Sequence, residues 1–295
     1  MDKPLPYLQR VRDYYQTLGY GTPYNWAQID DVPFHRPTKP VNQSTVAIVT
    51  TAALYDPKNG DQGPGAPYNG AAKFFEVYSR AIDPVPDLRI SHIAIDRAHT
   101  TAEDPGTYFP QNAVNQLVAS GEVGQLATRF HGLPTNRSHR VTRDIDCPEL
   151  VLRCLEDQVD VALLVPNCPV CHQSVAMAAN ALEAAGISTV ISGCAKDIVE
   201  HVGAPRFLFN DFPLGNGAGL PNDPVNQLTV ARLALSMIDT AKQPRTTQQS
   251  PYTWSGDPDW KNDYSNAALL SKEEIARRQR EFEQAKIDAP KKPDN

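Results

Sequence analysis

The 295 residues, 41% of them hydrophobic, are enough for one large or two small domains with a real core. A formal charge of -6 argues against nucleic acid, and no apolar run reaches the roughly 18 residues of a membrane span, so neither a polyanion nor a bilayer is an expected partner. Five irregularly spaced cysteines, Cys147, Cys154, Cys168, Cys171 and Cys194, suit a reducing cytoplasm better than a secreted disulfide framework.

In chain order, Leu5 to Leu18 reads as an amphipathic helix, followed by an aromatic, proline-rich connector with Tyr24, Trp26, Phe34 and Pro40. Residues 1–45 are therefore expected to form an N-terminal helix and arm whose aromatics pack on the core. Val46 to Thr51 is the first buried strand; it ends in Thr50 and Thr51 and enters a long Gly/Pro-rich loop, 56–69, of the kind that covers sites at strand ends. The loop glycines lack dinucleotide-binding order, so no nucleotide is expected. Leu88 to Asp96 reads as the next strand, with His92, Ala94 and Asp96 alternating onto one face and His99 in the loop beyond. Thr50, Thr51, Asp96 and His99 are candidates for substrate binding, against the plainer reading that they are hydrogen-bonded strand-end and loop residues. Ala113 to Ser120 is a helix closed by Gly121, Gly124 to Phe130 a further strand, and Pro148 to Asp157 a helix with Cys154 on its inner face.

The central stretch is Val159-Asp-Val-Ala-Leu-Leu-Val-Pro-Asn-Cys168-Pro-Val-Cys171-His172, in which a short apolar strand breaks at Pro-Asn and an Ala-rich helix runs on to Gly186. Pro169 suits a first helical turn, which places Cys168 near the N-cap, facing unpaired amides and the positive helix end. That setting favours a thiolate, so Cys168 and Cys171 are candidate catalytic groups. Three other readings of the motif exist. Cys-x-x-Cys-His is formally a haem-attachment pattern, but the N-terminus carries no apolar export signal. Zinc is a second reading, but a structural site would want further ligands at matching spacing. Two cysteines that merely pack are the third.

Ile187 to Cys194 is the next strand, then a helix from Ala195 to His201. A strand, helix and parallel strand in about thirty residues make a right-handed crossover, so both strands end on one sheet edge. Cys194 thereby joins Cys168 on that edge, and His172 and Cys194 become candidates for adjusting thiol pKa values or relaying protons. Arg206 to Phe209 is another strand, the glycine-rich 210–219 either a plain turn or a close backbone approach to a ligand, and a helix starting at Asp223 and Pro224 carries Leu228, Ala231, Leu235 and Ile238 on one face. Past Gln243 the chain turns polar; Ser271 to Glu274 is a capping box for one helix, and a disordered Lys/Pro end follows. The pattern predicts an α/β fold, Rossmann-like or flavodoxin-like, with a mostly parallel sheet and helices on both faces. Its catalytic domain would be 46–244, divisible into lobes 46–145 and 146–244, with a C-terminal helical extension over 245–295.

Several of these segments together resemble one known family. They are the Thr-Thr strand end, His92 to Pro110, Val-Pro-Asn-Cys168-Pro-Val-Cys171-His, Gly186-Ile-Ser-Thr-Val, and Val202-Gly-Ala-Pro-Arg206 through Pro213-Leu-Gly215. Over most of Val46 to Ala241 the chain is similar to the glycine/sarcosine/betaine reductase selenoprotein B family, with the D-proline reductase subunit as a relative. The resemblance implies reductive C–N cleavage by a selenocysteine-x-x-Cys-x-x-Cys segment acting on a substrate held by a pyruvoyl subunit. Cys168 and Cys171 match its two cysteines and Val165 stands where selenocysteine would be, so this is a cysteine-only relative.

The expectation is thus a thiol-dependent reductase-like enzyme on a small-molecule substrate, with Cys168 as nucleophile and Cys171 as resolving thiol. It would carry no bound cofactor, be recharged by an external thiol or thioredoxin-like protein, dock a pyruvoyl-type or electron-donor subunit, and form a homo-oligomer. The alternatives are a cofactor-independent racemase, isomerase or lyase of the aspartate/glutamate racemase type, and a non-catalytic or zinc-binding subunit of a reductase complex.

Overall fold

Eight strands build one sheet in the computed structural model, which describes residues 3–19, 22–254 and 259–288. They are β1 (Thr45–Thr50), β2 (Tyr78–Ala81), β3 (Gln125–Leu126), β4 (Arg129–Gly132), β5 (Val161–Val165), β6 (Ser188–Gly193), β7 (Arg206–Phe209) and β8 (Thr246–Gln249). Their order is β8-β7-β6-β5-β1-β4-β2, with β3 beside the start of β1 and β4 beside its end. All pairings are parallel except β2 against β4. Taking β3 and β4 as one interrupted strand and leaving out the β2 edge, the parallel strands follow the flavodoxin-like order, whose reversal falls between β1 and β5. Ligands of such sheets bind in the crevice that opens at this reversal, beyond the carboxyl ends of the strands.

Alternation within the strands divides the core into two layers. Ala47, Val49, Ala162, Leu164 and Ile191 face α3 (Cys147–Glu156), α4 (Pro169–Ala184) and α5 (Lys196–Val202). Val46, Ile48, Val161, Leu163 and Val190 face α2 (Gln111–Ala119) and α6 (Pro224–Thr240). Burying each such side chain contributes about 1.5–3 kcal/mol. Thirteen of the sixteen α4 residues are buried, so this helix is an interior element rather than an amphipathic surface one. The Ala-rich sequence allows that close packing on every side.

The N-terminal helix α1 (Tyr7–Thr17) is fixed to the α5 side of the fold: Leu8 N donates to Asp197 Oδ2 at 2.8 Å. Further along the arm, Gln173 of α4 accepts from Ala27 N at 2.7 Å and donates to Tyr24 Oη at 2.7 Å. The C-terminal α7 (Lys272–Asp288) starts where the capping box predicts, with Ser271 Oγ accepting from Glu274 N at 3.2 Å, and its Arg278 donates to Tyr14 Oη at 2.7 Å. The expected disordered end, 289–295, lies outside the described residues.

Two local expectations are corrected. Of Leu88 to Asp96 only Leu88–Arg89 is strand, paired antiparallel with Ala53–Leu54; Asp96 N instead donates to Leu214 O, a loop partner. The apolar pattern there marked burial, of Ile90 and Ile95, and not a ladder. Conversely, β8 has the sequence Thr-Thr-Gln-Gln and all four residues are half-buried. As an edge strand it needs no apolar alternation, which is why its polar sequence gave no signal.

Candidate active site at the head of the central helix

Residue Cys168 is the N-cap of α4, with φ -129° and ψ 171°, and its Sγ accepts from Cys171 N at 3.3 Å. Sulfur takes here the place that a serine or aspartate oxygen usually fills. Pro169 follows at N1, where a missing N–H costs nothing. One turn on, the Cys171 side chain stacks behind Cys168, fully buried, while Cys168 keeps 5% exposure.

The loops after Arg89 and after β4 bring two further residues to the thiols. Thr135 Oγ1 lies 3.1 Å from Cys171 Sγ and 3.3 Å from His92 Nε2. A ligand atom of His92 and the two sulfurs lie within 4.8 Å of one another. Burial pushes the Cys171 thiol up, but the hydrogen-bonding Cys168 thiol, the His92 imidazole and the Thr135 hydroxyl outweigh it and hold Cys171 well below the usual thiol range. For Cys168, burial and then the hydrogen bond and charge of Cys171 raise the value well above that range. The two thiols are thus coupled, and their surroundings favour the thiolate on Cys171 over Cys168. Both are free cysteines.

A cavity of about 220 Å³ opens onto Cys168, Pro169 and Val170. The arm supplies Val11, Tyr15 and Tyr24 as one wall; Tyr68, Phe74, His92 and Ile93 supply another, and Thr135, Arg137 and Lys73 contribute the polar groups. No aspartate or glutamate is among its described lining residues. The exposed Arg137 guanidinium lies 5.9 Å from the ring centre of Tyr15 and 5.8 Å from that of Tyr24. Burial raises the pKa values of Tyr15, Tyr24 and Tyr68 despite Arg137 nearby, so all three remain neutral phenols.

The other candidates sit outside this cavity. Thr50 Oγ1 donates to Tyr108 O at 3.1 Å, and Thr51 Oγ1 accepts from Asn167 N at 3.1 Å and Nδ2 at 3.0 Å, which ties the end of β1 to the Pro-Asn break. Asp96 Oδ1 meets His99 Nδ1 at 3.0 Å, and His99 packs edge-on to Trp260, so this pair lies beneath the C-terminal segment. Cys194 Sγ is 3.8 Å from Pro213 O, and burial first, then Asp211, raises its pKa. Cys147 and Cys154 are pushed up to about 12 by burial, which leaves them inert core thiols.

Both ring nitrogens of His172 are engaged. Nδ1 donates to Cys168 O at 2.8 Å, and Nε2 accepts from Cys194 N at 2.9 Å and Ala195 N at 3.1 Å. Two N–H donors on one ring nitrogen require the neutral Nδ1–H tautomer. Burial lowers the pKa to about 4, against the Cys168 carbonyl, which raises it. Since the folded value lies below the unfolded one of about 6.5, the contribution of His172 to stability is fully present above pH ~6.5 and is lost as pH falls through about 4. Ring-proton NMR is expected to show no His172 titration from pH 8 to pH 5; a midpoint near 6.5 would contradict the assigned hydrogen bonds.

Sequence reasoning did not pick out Thr135 or Arg137. Both follow the carboxyl end of β4, and that position at the sheet edge was the available signal.

A flavodoxin-like sheet with two neighbouring free cysteines at the head of the helix beside its reversal point defines the class as an α/β protein with a buried Cys-x-x-Cys pair at the sheet edge. Over 202 residues, 68% of this chain and 81% of the relative, it is 27% identical to D-proline reductase subunit gamma of Acetoanaerobium sticklandii. This similarity to a reductase subunit agrees with the resemblance carried by the chain's motifs. No family model and no solved structure matches it. Among the described residues no helix is long and apolar enough to cross a membrane.

Proposed function

We propose that this protein is a thiol-dependent reductase that cleaves a C–N or similar polar bond in a small carboxylate. The observation that carries this reading is the arrangement of the cavity. Cys168 lines it with Cys171 buried behind, Arg137 and Lys73 line it too, and no carboxylate is in its described lining. Cys168 gives its proton to Cys171, and its thiolate displaces the leaving group: a C–S bond forms, the C–X bond breaks, and the leaving group departs with the proton. Cys171 then attacks Cys168 Sγ. The S–S bond forms, the C–S bond breaks, and its electron pair passes to the substrate carbon, which takes a proton from solvent. The substrate is reduced by two electrons and the dithiol becomes a disulfide, restored by an external thiol or thioredoxin-like partner.

Around this pair, His92 and Thr135 stabilise the thiolate, while His172 and Thr51 are positioning residues that hold α4 and the end of β5. Cys194 lies outside the cavity, so the two-sided arrangement of proton-transfer groups that a racemase needs finds no support here. The subunit name of the relative supports docking to a partner subunit, of electron-donor or pyruvoyl type. Intact mass with peptide mapping of anaerobically purified protein, before and after mild oxidation, tests the reading: a reversible loss of two hydrogens at Cys168 and Cys171 is expected, and unreactive thiols would overturn it.

Arg137 is the carboxylate anchor in this scheme. Iodoacetate and iodoacetamide differ only in carrying a carboxylate or an amide, so the ratio of their alkylation rates at Cys168 reports that anchor. Arg137→Gln is expected to lower the iodoacetate rate about tenfold with little change for iodoacetamide, as the loss of one charge-assisted hydrogen bond implies. An equal effect on both reagents would remove Arg137 from substrate binding.

A further inference from the structure

We propose that His92, Cys168 and Cys171 also form a soft-metal site: a three-ligand seat for one Zn²⁺ whose fourth position opens into the cavity. The donor set is two sulfurs and one imidazole nitrogen, the chemistry that selects zinc over magnesium or calcium. Their ligand atoms lie within 4.8 Å of one another. Tetrahedral bonds of ~2.0–2.3 Å put donors roughly 3.5–4 Å apart, so the trio needs to close by about 1.3 Å or less.

The site is preformed rather than assembled by chance side-chain motion. Cys168 is fixed by the N-cap geometry and Cys171 by the helix, and Thr135 Oγ1 lies against both Cys171 Sγ and His92 Nε2. Nδ1 of His92 is buried without a hydrogen-bond partner. With one ring nitrogen beside Thr135 Oγ1 and the other unpartnered, this imidazole has a nitrogen lone pair to give to a metal. Because His92, Thr135 and Cys168 line the cavity, a fourth ligand reaches the ion from that side: water, or the carboxylate of a bound molecule.

Binding displaces the thiol protons, so both sulfurs ligate as thiolates. The site exists in the dithiol state alone, since a Cys168–Cys171 disulfide removes two of its three donors. It uses the same sulfurs as the reductase reading but does not depend on it.

The test is titration of the reduced, anaerobic full-length chain with Co²⁺, followed by competition with Zn²⁺. One equivalent of Co²⁺ is expected to give thiolate-to-cobalt charge-transfer absorption together with intense tetrahedral d–d bands, and one equivalent of Zn²⁺ to abolish both. His92→Asn should weaken binding about tenfold or more and alter the d–d bands, Cys171→Ser should remove about half of the charge-transfer intensity, and Cys147→Ser should change nothing. Melting curves of the variants establish that they fold. No charge-transfer band, or one that survives both His92→Asn and Cys171→Ser, overturns the site. A Cys168–Cys171 disulfide without a cobalt band would overturn the metal site and leave the reductase reading standing. A cobalt band on a pair that never forms a disulfide would do the reverse.

Discussion

Cys168→Ser is expected to lower turnover of any carboxylate that the wild-type protein reduces by on the order of 10³-fold or more, because a serine hydroxyl cannot supply a thiolate at neutral pH. Cys171→Ser should fail differently. It leaves a sulfur facing the cavity but removes the group that resolves the adduct, so a substrate fragment is expected to accumulate on Cys168, visible as added mass on its peptide. The asymmetry follows from the geometry, in which Cys168 lines the cavity and Cys171 is fully buried behind it. Rates and intact mass on both variants decide the matter; full activity in both would end the assignment of this pair.

The largest expected effect on stability lies at the far end of the same helix. Glu183, near the C-terminus of α4, pairs with Arg206 Nη1 at 2.7 Å, and both side chains are fully buried. The Glu183 carboxylate also accepts from Thr189 N at 2.5 Å, Thr189 Oγ1 at 2.8 Å and His35 N. Arg206 donates to His35 O at 2.8 Å and lies over the Phe34 ring, so the pair ties the arm, α4, β6 and β7 together. Burial raises the Glu183 pKa against the opposing pull of Arg206, which shows how far the carboxylate relies on its partners. Glu183→Ala leaves a buried guanidinium uncompensated and is expected to cost ~3–5 kcal/mol in urea denaturation. Glu183→Leu combined with Arg206→Met should recover most of it, because no unpaired charge then remains. A loss below ~1 kcal/mol in the single variant would show that the pair is not what holds the arm.

Much of this architecture is legible in the amino-acid sequence. The β5–α4–β6 crossover, the position of Cys168 at the head of α4 and the Asp223 cap of α6 all follow from local chemistry: an apolar run, a Pro-Asn break, an N-cap, a closing glycine. The edge strands β2 and β8 escaped notice because an edge buries little and carries no periodic apolar signal. The segment 88–96 misled for the opposite reason, since its apolar residues are buried by loops. Tyr24 was expected only to pack, yet its bond to Gln173 of the cysteine helix holds it in the cavity wall.

The sequence by itself determined that two cysteines, three positions apart, share the head of an interior helix at a sheet edge, because strand, break and helix are consecutive and each is encoded within a few residues. What surrounds them was decided by the tertiary structure alone. Thr135 reaches Cys171 across 36 positions and His92 reaches Thr135 across 43, from loops without periodicity. The cavity exists only because an arm that begins more than a hundred residues before Cys168 folds back over the helix. Local propensity fixes elements one at a time; the coupling of the thiols to His92 and Thr135 arises where separate loops meet, and burial in the folded chain is the physical reason that coupling is strong.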